Sequence, residues 1–223
     1  MIFYIVAGPG SASQTLKNRL LDTGFFFNKR HHMDLKSGKG LGHFKIRLSK
    51  IKLIYLKMCI FFNLNLLFYQ HLFPSKENLN KLNYIFGIQN IIFILITRNI
   101  FNTAKHLKKL NILKKKLPLD GKKKIHFLKQ TQYIIKFYSA WQKYFQKHPE
   151  KLNLITYNQI IHNKERPIKI FSKILKKKII LNKKIISNKH QKIKISLTPK
   201  EMKLINTEIK KHNKENLLRI MVL

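Results

Sequence analysis

Three short stretches of this chain could act on an anion: Gly8-Pro9-Gly10-Ser11-Ala12-Ser13-Gln14, Gln70-His71 and Thr97-Arg98-Asn99. In the first, glycines and small residues stand between the apolar run Ile2 to Val6 and a segment with Leu16, Leu20 and Leu21 at helical spacing. The backbone N–H groups of such a loop, together with the N-terminus of the helix it opens, converge on one point and hold phosphate or sulfate. The second stretch offers an imidazole, which can accept a proton near neutral pH. The third offers a guanidinium, whose planar fork pairs bidentately with phosphate oxygens. Each also has a bland explanation: a plain turn, a surface or capping histidine, and an ion-paired arginine. Taken together they describe an anion loop, a base and a phosphate-pairing cation.

The elements that must position them are legible as hydrophobic patterns. Ile2–Val6 reads as a buried strand, Leu64–Tyr69 as another that delivers Gln70 and His71, and Asn90–Thr97 as the clearest central strand. Leu152–Thr156 reads as a fourth parallel strand, and Phe25-Phe-Phe27 as the start of a further one. Between them, Ser75 opens a helix closed by Gly87, a helix follows Asn99 through Leu110, and His126–Lys147 forms a long amphipathic helix stopped by His148-Pro149. Shorter helices are expected at 157–163 and 167–177. Thr198-Pro-Lys-Glu201 has the N-cap, N1 proline and capping-box glutamate of a last helix that runs to about Lys211. Strands alternating with helices predict an α/β fold, a three-layer domain with a central parallel sheet flanked by helices, spanning 1–223 as a single unit. Ligands bind at the carboxyl ends of the strands in such sheets, where all three stretches fall.

Several chemistries are disfavoured. The loop lacks the Gly-Lys-[Ser/Thr] ending of a Walker A motif, and no acidic residue ends a clear strand to hold magnesium. Ser37-Gly-Lys-Gly-Leu-Gly42 lacks a preceding strand and reads as a surface loop, and His31-His32 lacks a third ligand at metal-site spacing. No metal is expected. An anionic group transferred without a metal fits better than magnesium-dependent nucleotide hydrolysis.

Composition sets the outer bounds. With 223 residues, 44% of them apolar, the chain can bury a real core. Its formal net charge is +37, from 46 Lys+Arg against 9 Asp+Glu. Either an anionic partner or compositional bias could account for this. Lys, Ile, Asn and Phe, which share A/T-rich codons, are over-used throughout, and the lysines are spread rather than gathered in one arm, so bias is the favoured cause. The runs Lys114–Lys116, Lys122–Lys124 and Lys176–Lys178 read as solvated element ends. No specific nucleic-acid partner is therefore expected. The lone Cys59 permits no intrachain disulfide and sits in an apolar run, as a buried inert thiol does. Neither Met58–Phe68 nor Ile85–Ile96 supplies the ~20 clean apolar residues of a membrane span, and no secretory leader is evident, so a cytoplasmic location is expected.

The chain resembles the sulfotransferase family over nearly its whole length. Pro9-Gly-Ser-Ala-Ser-Gln-Thr-Leu16 follows the family's first loop, Pro-Arg/Lys/Gly-Ser-Gly-Thr-Thr-x-Leu, with Ala12, Ser13 and Gln14 in place of Gly-Thr-Thr. Ile91 to His106 is similar to the family's strand, Arg-Asn-Pro and following helix, with Ile100 for Pro and His106 at the Ser position. Tyr69-Gln-His-Leu72 resembles its Lys-Thr-His-Leu segment. Ala140-Trp-Gln-Lys-Tyr-Phe145 and Leu152 to Ile160 look like its long helix and Tyr-Glu-Asp-Leu strand end, with Asn158-Gln159 for the acidic pair.

The resemblance implies a P-loop-type sulfotransferase architecture and the co-substrate 3′-phosphoadenosine 5′-phosphosulfate. Gly10, Ser11, Ala12, Ser13 and Gln14 would hold its 5′-phosphosulfate, while Arg98 and His106 would hold its 3′-phosphate. His71 would be the catalytic base toward a hydroxyl of a carbohydrate or other small acceptor. The alternatives are a catalytically degenerate member of the same fold that binds a phosphorylated or nucleic-acid ligand, and a different phosphate-loop transferase such as a nucleotide kinase. Acceptor-binding surfaces are expected from 28–63 and 111–147; the oligomeric state is not encoded in any motif.

Overall fold

Four runs of apolar, largely β-branched and aromatic residues form strands because such side chains fit a pleated surface covered on both faces. A computed structural model describes residues 1–8, 11, 13–27, 46, 48–113, 126–162, 165–175 and 195–212. The strands are β1 (Ile2–Ala7), β2 (Leu66–Gln70), β3 (Ile91–Thr97) and β4 (Leu152–Thr156). They make one four-stranded sheet in the order β2-β1-β3-β4, every neighbouring pair parallel. Ile2 is level with Leu66 on one side and with Ile91 on the other. All four carboxyl ends therefore share one edge, and the chain changes direction across the β1–β3 pair.

Alternation along β1 sorts its side chains between two cores. Tyr4 and Val6 face a core shared with Phe68, Phe93 and Leu95, while Phe3, Ile5 and Ala7 face one shared with Leu67, Ile94 and Ile96. Helices α2 (Lys50–Phe61), α3 (Lys76–Phe86), α4 (Ile100–Ile112), α5 (Phe127–Lys147) and α8 (Pro199–His212) cover the first face. Helices α1 (Ser13–Leu21), α6 (Tyr157–Ile161) and α7 (Arg166–Leu175) cover the second through Leu16, Leu20, Ile160 and Phe171. The expected three-layer α/β arrangement with a central parallel sheet is thus observed.

The first core is anchored by Trp141 on α5. Its indole packs against Phe93 and Phe145 at centroid distances of 5.3 Å each, and its Nε1 donates to the Leu72 carbonyl just beyond β2. Helix ends follow the expected signals closely. Ser75 Oγ accepts from Asn78 N–H, and Gly87 closes α3 at φ +68° with its N–H on the Asn83 carbonyl. At α8 the capping box closes as expected: Glu201 N–H donates to Thr198 Oγ1, and Thr198 N–H to Glu201 Oε2. Glu201 also meets Lys108 of α4 at 2.7 Å, which joins the two helices.

One expectation fails. Phe25–Phe27 is not a strand: Phe26 turns inward onto Phe3, with ring centroids 5.4 Å apart, and Phe27 N–H donates to the Asn65 carbonyl. An aromatic run satisfied that position by packing rather than by pairing. Ahead of β2, where no element is predicted, α2 starts at Lys50 under a Ser49 cap. Its apolar residues surround the helix, so no 3.6-residue stripe announces it. His31-His32, Ser37–Gly42 and the lysine runs at 114–116, 122–124 and 176–178 lie outside the described residues.

Trp141→Ala is expected to lower the unfolding free energy by about 3–5 kcal/mol, since it opens a large cavity and strips the Leu72 carbonyl of its donor. Urea denaturation followed by far-UV circular dichroism measures this, and a loss below about 1 kcal/mol contradicts the packing described.

Candidate functional site

At the carboxyl edge the strand ends meet through one phenol. Tyr138 of α5 accepts a hydrogen bond from Gly8 N–H at 3.2 Å and donates to the Ile96 carbonyl of β3 at 2.9 Å. It closes the gap where β1 and β3 diverge, and it is almost fully buried. Burial pushes its ionisation well above the ordinary tyrosine range, so the hydroxyl keeps its proton and both hydrogen bonds. Gly8 is required here by close approach: a Cβ would lie 2.8 Å from the Tyr138 oxygen.

Beyond Gly8, the buried Ser11 donates its hydroxyl proton to the Gly8 carbonyl at 2.7 Å. That proton organises the loop and is not directed at an outside ligand. Gly10 and Ala12 lie outside the described residues, and Ser13 is described as the first residue of α1. Gln14 lies on α1 with its side chain turned along the helix onto Asn18 Oδ1, 3.0 Å away, leaving its backbone as the part near the loop. Helix α1 is held against the second face by Leu16 and Leu20 and by Arg19, which donates to the Ile160 carbonyl at 2.9 Å.

His71, the residue after β2, is buried against this loop's root. Its Nδ1 hydrogen-bonds the Ala7 carbonyl, and its Nε2 lies 3.0 Å from the Tyr69 hydroxyl. A carbonyl can only accept, so Nδ1 carries the proton and Nε2 presents a lone pair to the Tyr69 O–H. The backbone thus sets the ring in the tautomer a general base needs. Tyr69 is a partner that pattern reading did not single out. It crosses the imidazole edge-on, at 5.3 Å between centroids.

On the other side of the loop, β3 ends at Thr97, and Asn99 caps α4 by accepting from Asn102 N–H at 3.1 Å. Arg98 stands between them. Its guanidinium lies over the Tyr157 ring, 4.1 Å from the centroid, with Tyr157 supplied by the first residue after β4. Burial lowers the Arg98 pKa, while Tyr157 and Tyr138 act in the opposite direction. One turn of Thr156-Tyr-Asn-Gln159 holds this stacking partner, because Thr156 and Gln159 cap α6 reciprocally.

Arg98 and His106 line one open cleft of about 560 Å³, together with Lys105, Lys109, Tyr157 and Asn158. No acidic side chain lines it among the described residues. The cleft suits an anion carrying an aromatic or apolar body, since cations, amides and Tyr157 share its wall. His71, Ser11 and Gln14 lie outside this cleft, along the same edge by way of β1 and β2. The edge thus runs from the His71 imidazole just beyond β2, past Gly8 and Ser11 beyond β1, to Arg98 beyond β3 and the lysines of α4. Lys105 and Lys109 went unremarked in sequence because they look like an ordinary solvated helix face. Their shared position with Arg98 depends on the angle at which α4 leaves β3.

No family model matches the chain, and no curated protein matches it. Among solved structures it is similar to the sulfotransferase domain from the curacin biosynthetic pathway, with 13% sequence identity and a TM-score of 0.45, covering 79% of this chain and 72% of that one.

Tyr138→Phe is expected to cost about 1–3 kcal/mol, because the Gly8 N–H and Ile96 carbonyl lose their buried partner. Gly8→Ala should destabilise by a similar amount through the clash with that oxygen, and less so in the Tyr138→Phe background. A double-mutant cycle by chemical denaturation checks this; strictly additive losses contradict the contact.

Proposed function

We propose that this chain transfers a sulfuryl group from 3′-phosphoadenosine 5′-phosphosulfate to a hydroxyl of a carbohydrate or other small acceptor, on a fold of sulfotransferase type. The observation that carries the reading is the conjunction on one sheet edge of His71, held as the Nδ1–H tautomer, with a cleft whose ionic side chains, among the described residues, are all cationic or basic. A donor with phosphates at both ends needs cations without a competing carboxylate, and the described lining of the cleft meets that condition.

In this reading Arg98 pairs with the 3′-phosphate, with Lys105, His106 and Lys109 adding positive charge, and Tyr157 keeps the guanidinium plane in place. The 5′-phosphosulfate would be held by the stretch Gly10-Ser-Ala-Ser-Gln14 through backbone amides, with Ser11 bonded to the Gly8 carbonyl. His71 Nε2 takes the acceptor's hydroxyl proton as that oxygen bonds to sulfur. The bond from sulfur to the phosphate oxygen breaks, and 3′-phosphoadenosine 5′-phosphate leaves. Tyr69 must first turn its hydroxyl away from Nε2, 3.0 Å distant, so that the acceptor can take that place.

The Tyr69 contact also favours a second reading, in which the same fold binds a phosphorylated ligand without catalysis because the lone pair of His71 is permanently occupied. The two readings diverge in experiment. Calorimetric titration with 3′-phosphoadenosine 5′-phosphate should show binding that exceeds binding of adenosine 5′-monophosphate and weakens by roughly 1.5–3 kcal/mol in Arg98→Ala. Absence of binding to the parent protein overturns the transferase reading. His71→Ala should keep that binding and lose transfer of labelled sulfate to a panel of hydroxyl acceptors. Transfer that survives this substitution removes His71 as base, and a parent that binds but never transfers supports the non-catalytic reading.

A further inference from the structure

Helix α2 is apolar nearly all round, yet only one side of it enters the core. Leu56 and Cys59 are buried against the first face of the sheet, with Leu53 and Ile60 half-buried beside them. Ile51, Ile54, Tyr55, Met58, Phe61 and Phe62 face solvent, with Ile51 and Phe61 retaining 81% and 80% of their surface. At the pitch of an α-helix these side chains fall within about a third of the circumference, so they form one continuous stripe. Scattered exposed hydrophobic residues need no explanation, but a stripe along a whole helix marks a surface that something covers.

Charge selects what covers it. The helix Lys-Ile-Lys-Leu-Ile-Tyr-Leu-Lys-Met-Cys-Ile-Phe has no acidic residue, and helical spacing sets Lys50 and Lys57 along one border of the stripe. Lys57 also reaches over the exposed Tyr84 of α3, 4.6 Å from its ring centroid, which extends the aromatic and cationic surface. Glu77, a carboxylate on that neighbouring helix, is ion-paired with Lys81 at 2.6 Å. A second copy of this chain would bring another +37 charge and face Lys50 and Lys57 with their own counterparts. No described helix is long and apolar enough to cross a membrane, and α2 has 12 residues. A short stripe of Ile, Phe, Tyr and Met bordered by lysine suits the interface of a bilayer, where apolar side chains enter the acyl boundary and lysines meet lipid phosphates.

We propose that the outer face of α2 docks the protein on an anionic lipid surface, with Ile51, Ile54, Met58 and Phe61 inserted and Lys50 and Lys57 at the headgroups. The test is co-sedimentation of the full chain with vesicles of phosphatidylcholine alone or mixed with phosphatidylglycerol. Because a chain of this charge adheres to any polyanion, the informative variant is I54S/F61S, which keeps every charge and alters only exposed positions. It should retain the parent's circular dichroism melt and bind the mixed vesicles at least about tenfold more weakly. The parent should bind neutral vesicles poorly. Equal binding of parent and I54S/F61S to mixed vesicles overturns the proposal, since charge alone would then account for adhesion. So does a parent that fails to sediment with mixed vesicles, which would leave an acidic amphipathic protein as the covering partner. A parent dimer in sedimentation velocity that I54S/F61S dissolves would likewise overturn it in favour of self-association.

Discussion

The Tyr138 hydroxyl, received by the Ile96 carbonyl and receiving the Gly8 N–H, holds the carboxyl edge of the sheet together. In a doubly wound sheet the strands on either side of the reversal are followed by connections that leave in opposite directions, so a crevice opens between them. Here that crevice is bridged by a side chain from α5, far along the chain from both strands. The bridge works only because residue 8 has no Cβ and because burial keeps the phenol protonated. Loop, strand end and helix are thereby one mechanical unit. The position of the Ser11 turn, and of Arg98 two residues beyond Ile96, is inherited from the packing of α5 against Phe93 through Trp141.

The parts of the molecule legible in its sequence are those where one local signal dominates. A continuous apolar run such as Ile91–Thr97 reads as a central strand, and Thr198-Pro-Lys-Glu201 reads as a helix start, because each outcome is decided within a few residues. Arg98 and His71 were readable as strand-end residues for the same reason. Their company was not. The stacking of Tyr157 on Arg98, the grip of Ala7 on His71 and the bridging by Tyr138 all join residues distant in sequence, set by strand order and helix angle. The failure at Phe25–Phe27 has the same origin, since three aromatics satisfy a core edge as readily as they satisfy a ladder. Helix α2 was missed for a different reason: its outward face is as apolar as its inward one, which erases the periodicity by which helices are recognised.

The excess of positive charge takes on a finer grain in three dimensions. Most lysines of the described helices line solvent, in keeping with a bias spread through the whole composition. Against that background, Lys105 and Lys109 are distinguished by sharing a wall with Arg98, and Lys50 and Lys57 by bordering an apolar stripe. A uniformly basic chain can still carry local meaning where cations meet a second kind of surface, a single tyrosine ring in one case and a mixed apolar stripe in the other. Net charge alone separates neither from the rest.

The pairing register carries a consequence for how the chain acquires this structure. Strand β1 sits in the interior of the sheet, bonded on one side from Leu66 onward and on the other from Ile91 onward. It therefore emerges during synthesis as a fully apolar segment with two open edges and must wait for partners made much later. Parallel pairing at such sequence separation raises contact order, which slows folding and prolongs the exposure of an aggregation-prone strand. The strand that anchors the finished molecule is thus its greatest liability while it is being made, and a chaperone that shelters Ile2–Ala7 would act where the kinetic risk is concentrated.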